Sequence, residues 1–311
     1  MQAPIVGIEI GGTKLQLLRG DAAGTICARA RFQVDRTAGA TGIRAHIEST
    51  LRQWLDDGGV RAVGVGYGGP VDWRTGRICC SHHVEGWSEF PLGDWLRGIA
   101  GVPVSVDNDA NVAALGEAVL GAGRGANPAG YVTLGSGVGG GLVVDGRIYH
   151  GASPGEVEIG HVCLDRSGAT VESRCAGWSV DRRIRAAIGR EPASVLAGLV
   201  GSATAGEARF LGPALAVGDP TAGRILAELA EDLAFGLSHF AHLFHPEILV
   251  LGGGLSLLGE PLRAAVAAVL PRFLMDAFQP GPRIVLAGLG EDSVPCGALL
   301  LGGAQGSRPT G

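Results

Sequence analysis

The sequence predicts an α/β protein built from two domains. Short apolar runs typical of buried strands alternate with amphipathic runs at helical spacing, which is the pattern of α/β folds. A strand that runs into a glycine-rich turn and continues as further strands occurs twice, near residue 10 and near residue 135. The chain of 311 residues also exceeds the usual size of a single hydrophobic core, so two domains are expected.

Composition and charge exclude several classes of function. Hydrophobic residues at 46% and charged residues at 18% are typical of a well-buried globular protein. A net charge of -5 without a Lys/Arg cluster indicates that nucleic acid is not a partner. The chain shows no membrane span, no signal-peptide pattern and no disulfide or zinc spacing among its six cysteines. We therefore expect a cytoplasmic protein with reduced thiols and no membrane partner.

The chain begins with a hairpin whose tip is rich in glycine. Strands are predicted over residues 5–10, 15–18 and 26–32. The tip between the first two strands consists of Gly11, Gly12, Thr13 and Lys14. Backbone N–H groups of such a tip can turn toward an anion. Because glycine hairpins without ligands are about equally common, this tip alone does not decide the function.

Helices and strands then alternate up to an acidic turn. A helix is predicted over 40–57, and a strand over 61–66 runs into a glycine loop. Loops beyond strand ends are where open α/β sheets usually bind ligands. A helix at 91–100 and a strand at 102–106 follow, and this strand ends in Asp107, Asn108, Asp109, Ala110 and Asn111.

The acidic turn is a candidate site for a general base. Because the strand ends in Asp and Asn and continues as a helix, side-chain oxygens lie at the helix N-terminus. The helix dipole there favours the charged form of a carboxylate. An ordinary helix N-cap would explain an isolated Asp–Asn pair as well, and it is the neighbouring motifs that favour a catalytic interpretation.

The second half of the chain begins by repeating the first. Strands are predicted over 130–134, 142–144 and 147–149, and the glycine-rich turn at 135–141 carries the hydroxyl of Ser136. Two related domains, each with a hairpin that grips phosphate, would explain the duplication. It is the strongest internal indication of a nucleotide ligand.

The remaining segments add polar and glycine-rich sites. Glu158 and His161 lie in a glycine-rich stretch, which is either a surface loop or a binding segment. A strand at 247–251 runs into Gly252, Gly253 and Gly254 ahead of a helix from residue 255, a unit that suits the approach of a nucleotide. Further predicted elements are helices at 178–188, 193–211, 220–245 and 294–301 and a strand at 284–287.

In their order along the chain, these motifs resemble the ROK family of sugar kinases. The resemblance is carried by Glu9-Ile10-Gly11-Gly12-Thr13-Lys14, Asn108-Asp109-Ala110-Asn111, the turn at 133–141, Glu158-Ile159-Gly160-His161 and Leu251-Gly252-Gly253-Gly254. It implies a two-lobed actin/hexokinase-like ATPase fold of the ribonuclease-H-like type, with a small and a large domain around a central cleft. The expected small N-terminal lobe comprises residues 1–115 and 290–311, and the large C-terminal lobe comprises 116–289. A homodimer is possible for this family.

The resemblance also implies an activity, which is ATP-dependent phosphorylation of a hexose, expected at the 6-hydroxyl of glucose. Asp109 is the expected general base. Mg²⁺ is expected near Glu9, held through water. The expected sugar-binding residues are Gly69, Asn108, Asp109, Glu158, His161 and Glu172. The expected ATP-binding residues are Glu9, Gly11, Gly12, Thr13, Lys14, Gly135, Ser136, Gly137, Gly252, Gly253 and Gly254. For Lys14, a solvated surface position is an equally good interpretation.

The chain departs from the family pattern at three places. Glu9 stands where the family usually has Asp, and Ser136 stands where it usually has Thr. Most members also carry a zinc loop with three cysteines after the signature histidine, whereas residues 162–171 here contain only Cys163. Because the thiolates of a four-ligand structural zinc site are missing, we predict no zinc. His161 then needs a protein hydrogen bond to orient it.

Two other functions remain open at this point. The same scaffold serves N-acetylmannosamine and N-acetylglucosamine kinases, and no residue excludes either substrate. A non-catalytic sugar sensor is the alternative from another class, since fold does not fix function. ROK repressors carry an N-terminal helix-turn-helix domain, and because the first strand is predicted near Ile5, we do not expect a repressor.

Overall fold

The computed structural model describes residues 3–35, 37–81, 85–155 and 157–304. The chain divides into two compact units. The first comprises Met1–Gly125, Gly141–Val157 and Gly288–Gly311, and the second comprises Ala126–Gly140 and Glu158–Ala287. Within the described ranges, every helix is too short or too polar to cross a membrane.

Strands and helices alternate along the chain as predicted. In chain order the strands are β1 (Ile5–Ile10), β2 (Lys14–Gly20), β3 (Ile26–Gln33), β4 (Ala62–Tyr67), β5 (Val71–Asp72), β6 (Arg77–Ile78), β7 (Val104–Asn108), β8 (Ala129–Leu134), β9 (Val138–Val144), β10 (Arg147–Ile148), β11 (Ile248–Gly252) and β12 (Arg283–Leu286). The α-helices are α1 (Gly39–Asp56), α2 (Leu92–Ala100), α3 (Asp109–Val119), α4 (Val171–Cys175), α5 (Gly177–Arg190), α6 (Val195–Val200), α7 (Leu211–Ala216), α8 (Pro220–Phe244), α9 (Glu260–Val269) and α10 (Ser293–Ala304).

Two five-stranded sheets organise the described part of the chain. The first has the order β3-β2-β1-β4-β7, in which β1, β2 and β3 run antiparallel and β1, β4 and β7 run parallel. The second has the order β10-β9-β8-β11-β12, in which β8, β11 and β12 run parallel. Mixed sheets with a parallel centre are typical of α/β folds, so the predicted fold class is confirmed.

The core of the first unit lies between its sheet and the helices beside it. β4 is buried along its whole length, as expected for a central parallel strand. On one side α1 directs Ile43, Ile47 and Leu51 into the core, at the helical spacing that the sequence shows. The helices α3 and α10 pack against each other, and α10 also packs against β1 and β4.

The second unit is organised around α8, which contacts α4, α5 and α9. Asp219 caps this helix, since its side chain accepts a hydrogen bond from Ala222 N, and Pro220 occupies the first turn. Leu229, Leu233 and Leu237 form the buried stripe that the sequence predicts.

Several elements differ from the sequence-based expectation. The stretch predicted as one helix over 193–211 contains α6, an irregular segment and a 3₁₀ turn at Glu207–Phe210 before α7 begins. Gly201 and Gly206 interrupt the helical run, since they adopt φ angles of 54° and 70°. The pattern also does not predict α4, β5 or β6, because each is too short to show a period.

The expected lobes, 1–115 with 290–311 and 116–289, do not coincide with the two compact units. Residues 116–125 lie in the first unit, where buried Glu117 binds the N–H of Ala122. Residues 141–157 also lie in the first unit, since Gly141 packs against Ala114 of α3 and His150 contacts Asp107. Residues 305–311 of the expected small lobe lie outside the described part of the chain.

Candidate active site

The acidic turn joins β7 to α3 and is held by its own side chains. Asn108 is the N-cap of α3, and its Oδ1 accepts hydrogen bonds from Ala110 N at 2.8 Å and Asn111 N at 3.3 Å. Its Nδ2 donates to the carbonyl of Gly69 at 3.2 Å, which ties the loop after β4 to the turn. Asp109 is the first residue of α3, where the helix dipole favours a charged carboxylate.

The Asp109 carboxylate lies close to the first glycine-rich tip. A Cβ atom placed on Gly68 would lie 3.3 Å from Asp109 Oδ2, 3.3 Å from the Ile10 carbonyl oxygen and 3.6 Å from Gly11 Cα. The backbone of Gly68 therefore lies between the Asp109 carboxylate and Gly11, the first residue of the tip. The first unit thus brings together two of the predicted site segments, which are 98 residues apart in sequence when counted from Gly11 to Asp109.

The first glycine tip is a closed turn. Gly11 N donates to the Lys14 carbonyl at 2.9 Å, and the Thr13 carbonyl accepts from Val34 N at 3.0 Å. Gly11 therefore uses its own N–H to shape the turn. Gly12 and Thr13 lie at the outer end of the turn. Of the residues predicted to bind phosphate, they are therefore better placed than Gly11 to donate a hydrogen bond to a ligand.

Glu9 lies on β1 within a network of polar side chains. Its Oε2 accepts from Gln16 Nε2 at 2.6 Å, and its Oε1 lies 3.3 Å from Lys14 Nζ. Gln16 is fully buried, and its Oε1 accepts from Arg29 and Arg31 at 3.2 Å and 2.6 Å. Burial raises the pKa of Glu9 above its ordinary value of 4.5, and the nearby Lys14 cation opposes the rise. Lys14 is thus engaged with Glu9 rather than simply solvated.

The second glycine tip lies in the second unit and is also a closed turn. Gly135 N donates to the Gly137 carbonyl at 2.9 Å. Gly177 N, at the start of α5, donates to the Gly135 carbonyl at 2.8 Å. Ser136 is exposed at the end of this tip, where its hydroxyl can reach a ligand.

Glu172, one of the predicted sugar-binding residues of the second unit, lies at Val138, the first residue of β9. Glu172 Oε2 accepts from Val138 N at 2.9 Å. Gly160 lies directly against the same residue, since a Cβ atom on Gly160 would be 2.0 Å from the Val138 carbonyl oxygen. Glu158 lies two residues before Gly160, and His161 follows it directly. The Glu158 side chain is half-exposed and the His161 side chain is exposed, and His161 Nε2 lies 3.8 Å from Glu158 Oε2. That distance is longer than a hydrogen bond, so the tautomer of His161 is not fixed by this pair.

The three glycines at the end of β11, Gly252 to Gly254, differ in their surroundings. A Cβ atom on Gly252 would be 2.1 Å from the Tyr131 hydroxyl, and one on Gly253 would be 2.6 Å from Leu134 N. Both glycines are therefore required for close packing against β8. A Cβ atom on Gly254 would have none of the other residues' heavy atoms within 4 Å, and Gly254 is exposed, so it has the most open space of the three.

A short hairpin fills residues 162–171. Val171 N donates to the Val162 carbonyl at 3.0 Å and Leu164 N donates to the Ala169 carbonyl at 2.7 Å. At its tip Asp165 Oδ1 accepts from Ser167 N at 2.7 Å, from Ser167 Oγ at 2.6 Å and from Ala169 N at 3.2 Å. These hydrogen bonds, first that of the Ser167 hydroxyl, lower the pKa of Asp165. The hairpin is therefore closed by backbone and carboxylate hydrogen bonds.

A comparison with protein families decides the assignment. The family model described as ROK family matches residues 5–304, nearly the whole chain. The chain belongs to the ROK family.

Individual proteins of the ROK family are similar to this chain in sequence and in structure. Glucokinase from Thermotoga maritima is 29% identical over 305 residues, covering 96% of this chain and 96% of its own. Beta-glucoside kinase from Listeria monocytogenes is 26% identical over 257 residues, covering 81% of this chain and 83% of its own. A crystal structure of a ROK family glucokinase from Streptomyces griseus, in complex with glucose and AMPPNP, matches with a TM-score of 0.84 and 29% identity over 96% of this chain and 99% of that one.

These similarities confirm two predictions made from the sequence. The ROK protein has the two-lobed actin/hexokinase-like ATPase fold, and it is a sugar kinase. They do not fix the sugar, because relatives with different sugar substrates in their names match over most of the chain.

The donor set of this ROK protein does not fit a structural zinc. In the described ranges, no group of three or more His, Cys, Asp or Glu side chains is arranged to hold a metal ion. Cys163 is exposed, whereas Cys175 is buried and burial raises its pKa to about 12, so it stays a neutral thiol. A four-ligand structural zinc needs several deprotonated thiolates, which these two cysteines do not provide, so the absence of zinc stays a prediction.

Chelation is therefore expected to leave the fold intact. We expect purified protein to contain no stoichiometric zinc, and treatment with 1,10-phenanthroline to leave its thermal unfolding midpoint unchanged. Asp165→Ala, which removes three hydrogen bonds from the hairpin tip, is expected to lower the thermal unfolding midpoint. One zinc per chain, or a lowered midpoint after chelation, would contradict this account.

Three polar residues with structural roles, Gln16, Glu117 and His150, are missing from the sequence-based site. Gln16 and Glu117 are fully buried within apolar runs, and since a buried polar group is normally hydrogen-bonded, such isolated positions are a usable signal. His150 binds Asp107 from a loop without a motif, and nothing local in the sequence indicates that contact.

Proposed function

We propose that this protein transfers the γ-phosphoryl group of ATP to the 6-hydroxyl of glucose, with Asp109 as the general base. The observation that carries the proposal is the position of the Asp109 carboxylate, at the first residue of α3 and across Gly68 from the first glycine tip. The Streptomyces griseus glucokinase, which holds glucose and AMPPNP, supports both substrates.

Asp109 would accept the proton of the sugar hydroxyl as that oxygen attacks phosphorus. A carboxylate at a helix N-terminus stays ionised near neutral pH, which keeps it competent as an acceptor. Asn108 supports this role by holding the Gly69 carbonyl, so that the loop where the sugar is expected to approach stays fixed to the turn. Glu158, His161 and Glu172 supply acceptors and donors for the remaining hydroxyls in the proposed complex.

Glu9 suits a Mg²⁺ ion held mainly by substrate phosphates and water. Mg²⁺ commonly binds through one or two carboxylates and keeps several waters, so a single oriented carboxylate is a sufficient protein contribution. The bound ion would neutralise charge on the transferring phosphoryl group. Lys14, at 3.3 Å from Glu9, holds the carboxylate in place and adds positive charge beside the tip.

The raised pKa of Glu9 predicts a pH dependence of nucleotide binding. Because burial favours its neutral form, Glu9 loses its charge at a higher pH than an exposed glutamate does. We expect the KM for MgATP to rise as the pH falls through this raised pKa, and Glu9→Gln to show a high KM that hardly changes over that range. Initial rates measured from about pH 5 to about pH 8 test this. An identical pH profile in the variant would remove Glu9 from metal binding.

The substrate is tested by ADP release with a panel of sugars. Glucose, mannose, fructose, N-acetylglucosamine and N-acetylmannosamine are compared by kcat/KM, and the phosphorylated position is read by ³¹P and ¹H NMR. The proposal expects glucose to have the highest kcat/KM. A higher value for an N-acetylated sugar would assign the protein to the N-acetylhexosamine kinases, and binding of a sugar without any turnover would indicate a sensor.

A further inference from the structure

A loop of the first unit docks onto the acidic turn through a histidine. His150, the second residue after β10, places its Nε2 2.5 Å from Asp107 Oδ2. The two side chains are 16% and 4% exposed, so the contact is largely withdrawn from solvent. Because an ionised carboxylate only accepts hydrogen bonds, Nε2 carries the proton and donates it. A charge-assisted bond of this kind is stronger than a neutral one.

The same carboxylate also binds the backbone and side chain of the turn. Asp107 Oδ1 accepts from Asn108 N at 2.8 Å and from Asn111 Nδ2 at 3.0 Å. Asn111 is fully buried, and its Nδ2 also donates to the Gly155 carbonyl at 2.8 Å. Gly155 in turn packs on His150, since a Cβ atom on Gly155 would lie 2.7 Å from His150 Cβ. The contacts form a closed ring through Asp107, Asn111, Gly155 and His150.

The imidazole of His150 is fixed on its face as well as at its edge. The Trp73 ring stacks on it with a centroid distance of 4.1 Å and an interplanar angle of 13°. Ser153 of the same loop donates to Asp72, the neighbour of Trp73, at 3.3 Å. With both its ring plane and its Nε2 held, His150 has little freedom to turn away from Asp107.

We propose that His150 is a positioning residue for phosphoryl transfer, an inference that rests on the proposed function. It acts through Asp107, which holds the Asn108 N–H and so fixes the start of α3, where Asp109 lies next in the chain. His150 touches neither substrate in this role. Its loss lets the turn shift, and a displacement of about 1 Å at a reacting group can cost about 100-fold in rate.

A double-mutant cycle tests this role. His150→Phe keeps a ring for stacking on Trp73 and removes the donor, and Asp107→Asn keeps an acceptor for Asn108 N and removes the acceptor for His150. We expect each variant to lower kcat about 10- to 100-fold, with the KM for ATP changed less than about threefold. The double variant is expected to be no slower than the slower single variant, since residues of one network are not additive. His150→Gln, which restores a donor, is expected to recover part of kcat.

His46→Phe is the matched control. His46 on α1 also stacks on an aromatic ring, that of Phe32 at 4.2 Å, but it lies outside the acidic turn. We expect its kcat to equal that of the parent protein within about twofold. Additive losses in the cycle, a kcat for His150→Phe within twofold of the parent, or an equal loss in His46→Phe would overturn the proposal.

A readout without turnover separates this inference from the proposed function. In ¹⁵N-histidine-labelled protein, the His150 Nε2 proton is expected to resonate far downfield and to vanish in both His150→Phe and Asp107→Asn. Absence of that signal overturns the His150–Asp107 pair whether or not any sugar is phosphorylated. A parent protein that shows the signal but turns over no sugar would instead contradict the proposed function.

Discussion

Asp109→Asn is expected to lower kcat for sugar phosphorylation by about 100- to 10,000-fold, the range of general-base catalysis. Asparagine has nearly the same shape as aspartate and is also accepted at a helix N-terminus, so the fold is expected to remain. It cannot accept the proton of the sugar hydroxyl. The KM values are expected to change much less than kcat, because the variant removes a contribution made in the transition state.

The measurement is sugar-dependent ADP formation, with sugar binding followed separately by calorimetry. Asp94→Asn is a suitable control, since Asp94 also lies in the first turn of a helix, α2, and is exposed. The control is expected to retain kcat within about twofold. If Asp109→Asn retained more than a tenth of the parent kcat, another group would have to be the base.

The segments that the sequence predicts correctly are those with local signals. The two glycine tips and the acidic turn each combine a strand end with turn residues within a few positions, and all three occur as predicted at the ends of β1, β8 and β7. The order of these segments along the chain is typical of the ROK family, and the resemblance implies the roles of the site residues. Local pattern and order together were sufficient for the fold class and the enzyme class.

The contacts that the sequence does not predict join residues that are far apart in the chain. His150 and Asp107 are 43 positions apart, and nothing near either one indicates the other. Likewise, nothing local in the sequence indicates that Gly252 and Gly253 pack closely on Tyr131 and Leu134 of β8. A glycine motif reports close approach of the backbone, and only coordinates show whether a ligand or another strand makes that approach.

Glu117 is another residue whose partners only the structure reveals, and its replacement is expected to have the largest effect on stability. It lies on α3 eight residues after Asp109, about 12 Å along the helix, and it is fully buried. Its Oε2 accepts from Ala122 N and Gly288 N, both at 2.9 Å. Its Oε1 accepts from Leu289 N at 2.9 Å and from the Ser293 hydroxyl at 2.7 Å.

One carboxylate therefore satisfies four donors from two distant segments of the first unit. Glu117→Gln keeps the side-chain volume but replaces one acceptor oxygen with an NH₂ group that faces N–H donors. A buried donor left without an acceptor costs about 1–3 kcal/mol, and at least one backbone N–H loses its acceptor even if the Ser293 hydroxyl turns to accept from the new NH₂ group. We expect the free energy of unfolding to fall by about 1–3 kcal/mol, measured by urea denaturation with an unchanged m-value.

Glu260→Gln provides the matched control for this loss. Glu260 also pairs through its carboxylate, with Arg263 on α9, but its side chain is 67% exposed. An exposed pair contributes little, so the control is expected to change the unfolding free energy much less than Glu117→Gln does. Equal effects in the two variants would mean that water replaces the Glu117 carboxylate at no cost. A larger loss for Glu117→Gln would show that α3, which presents Asp109 at its N-terminus, is anchored at its other end by this carboxylate.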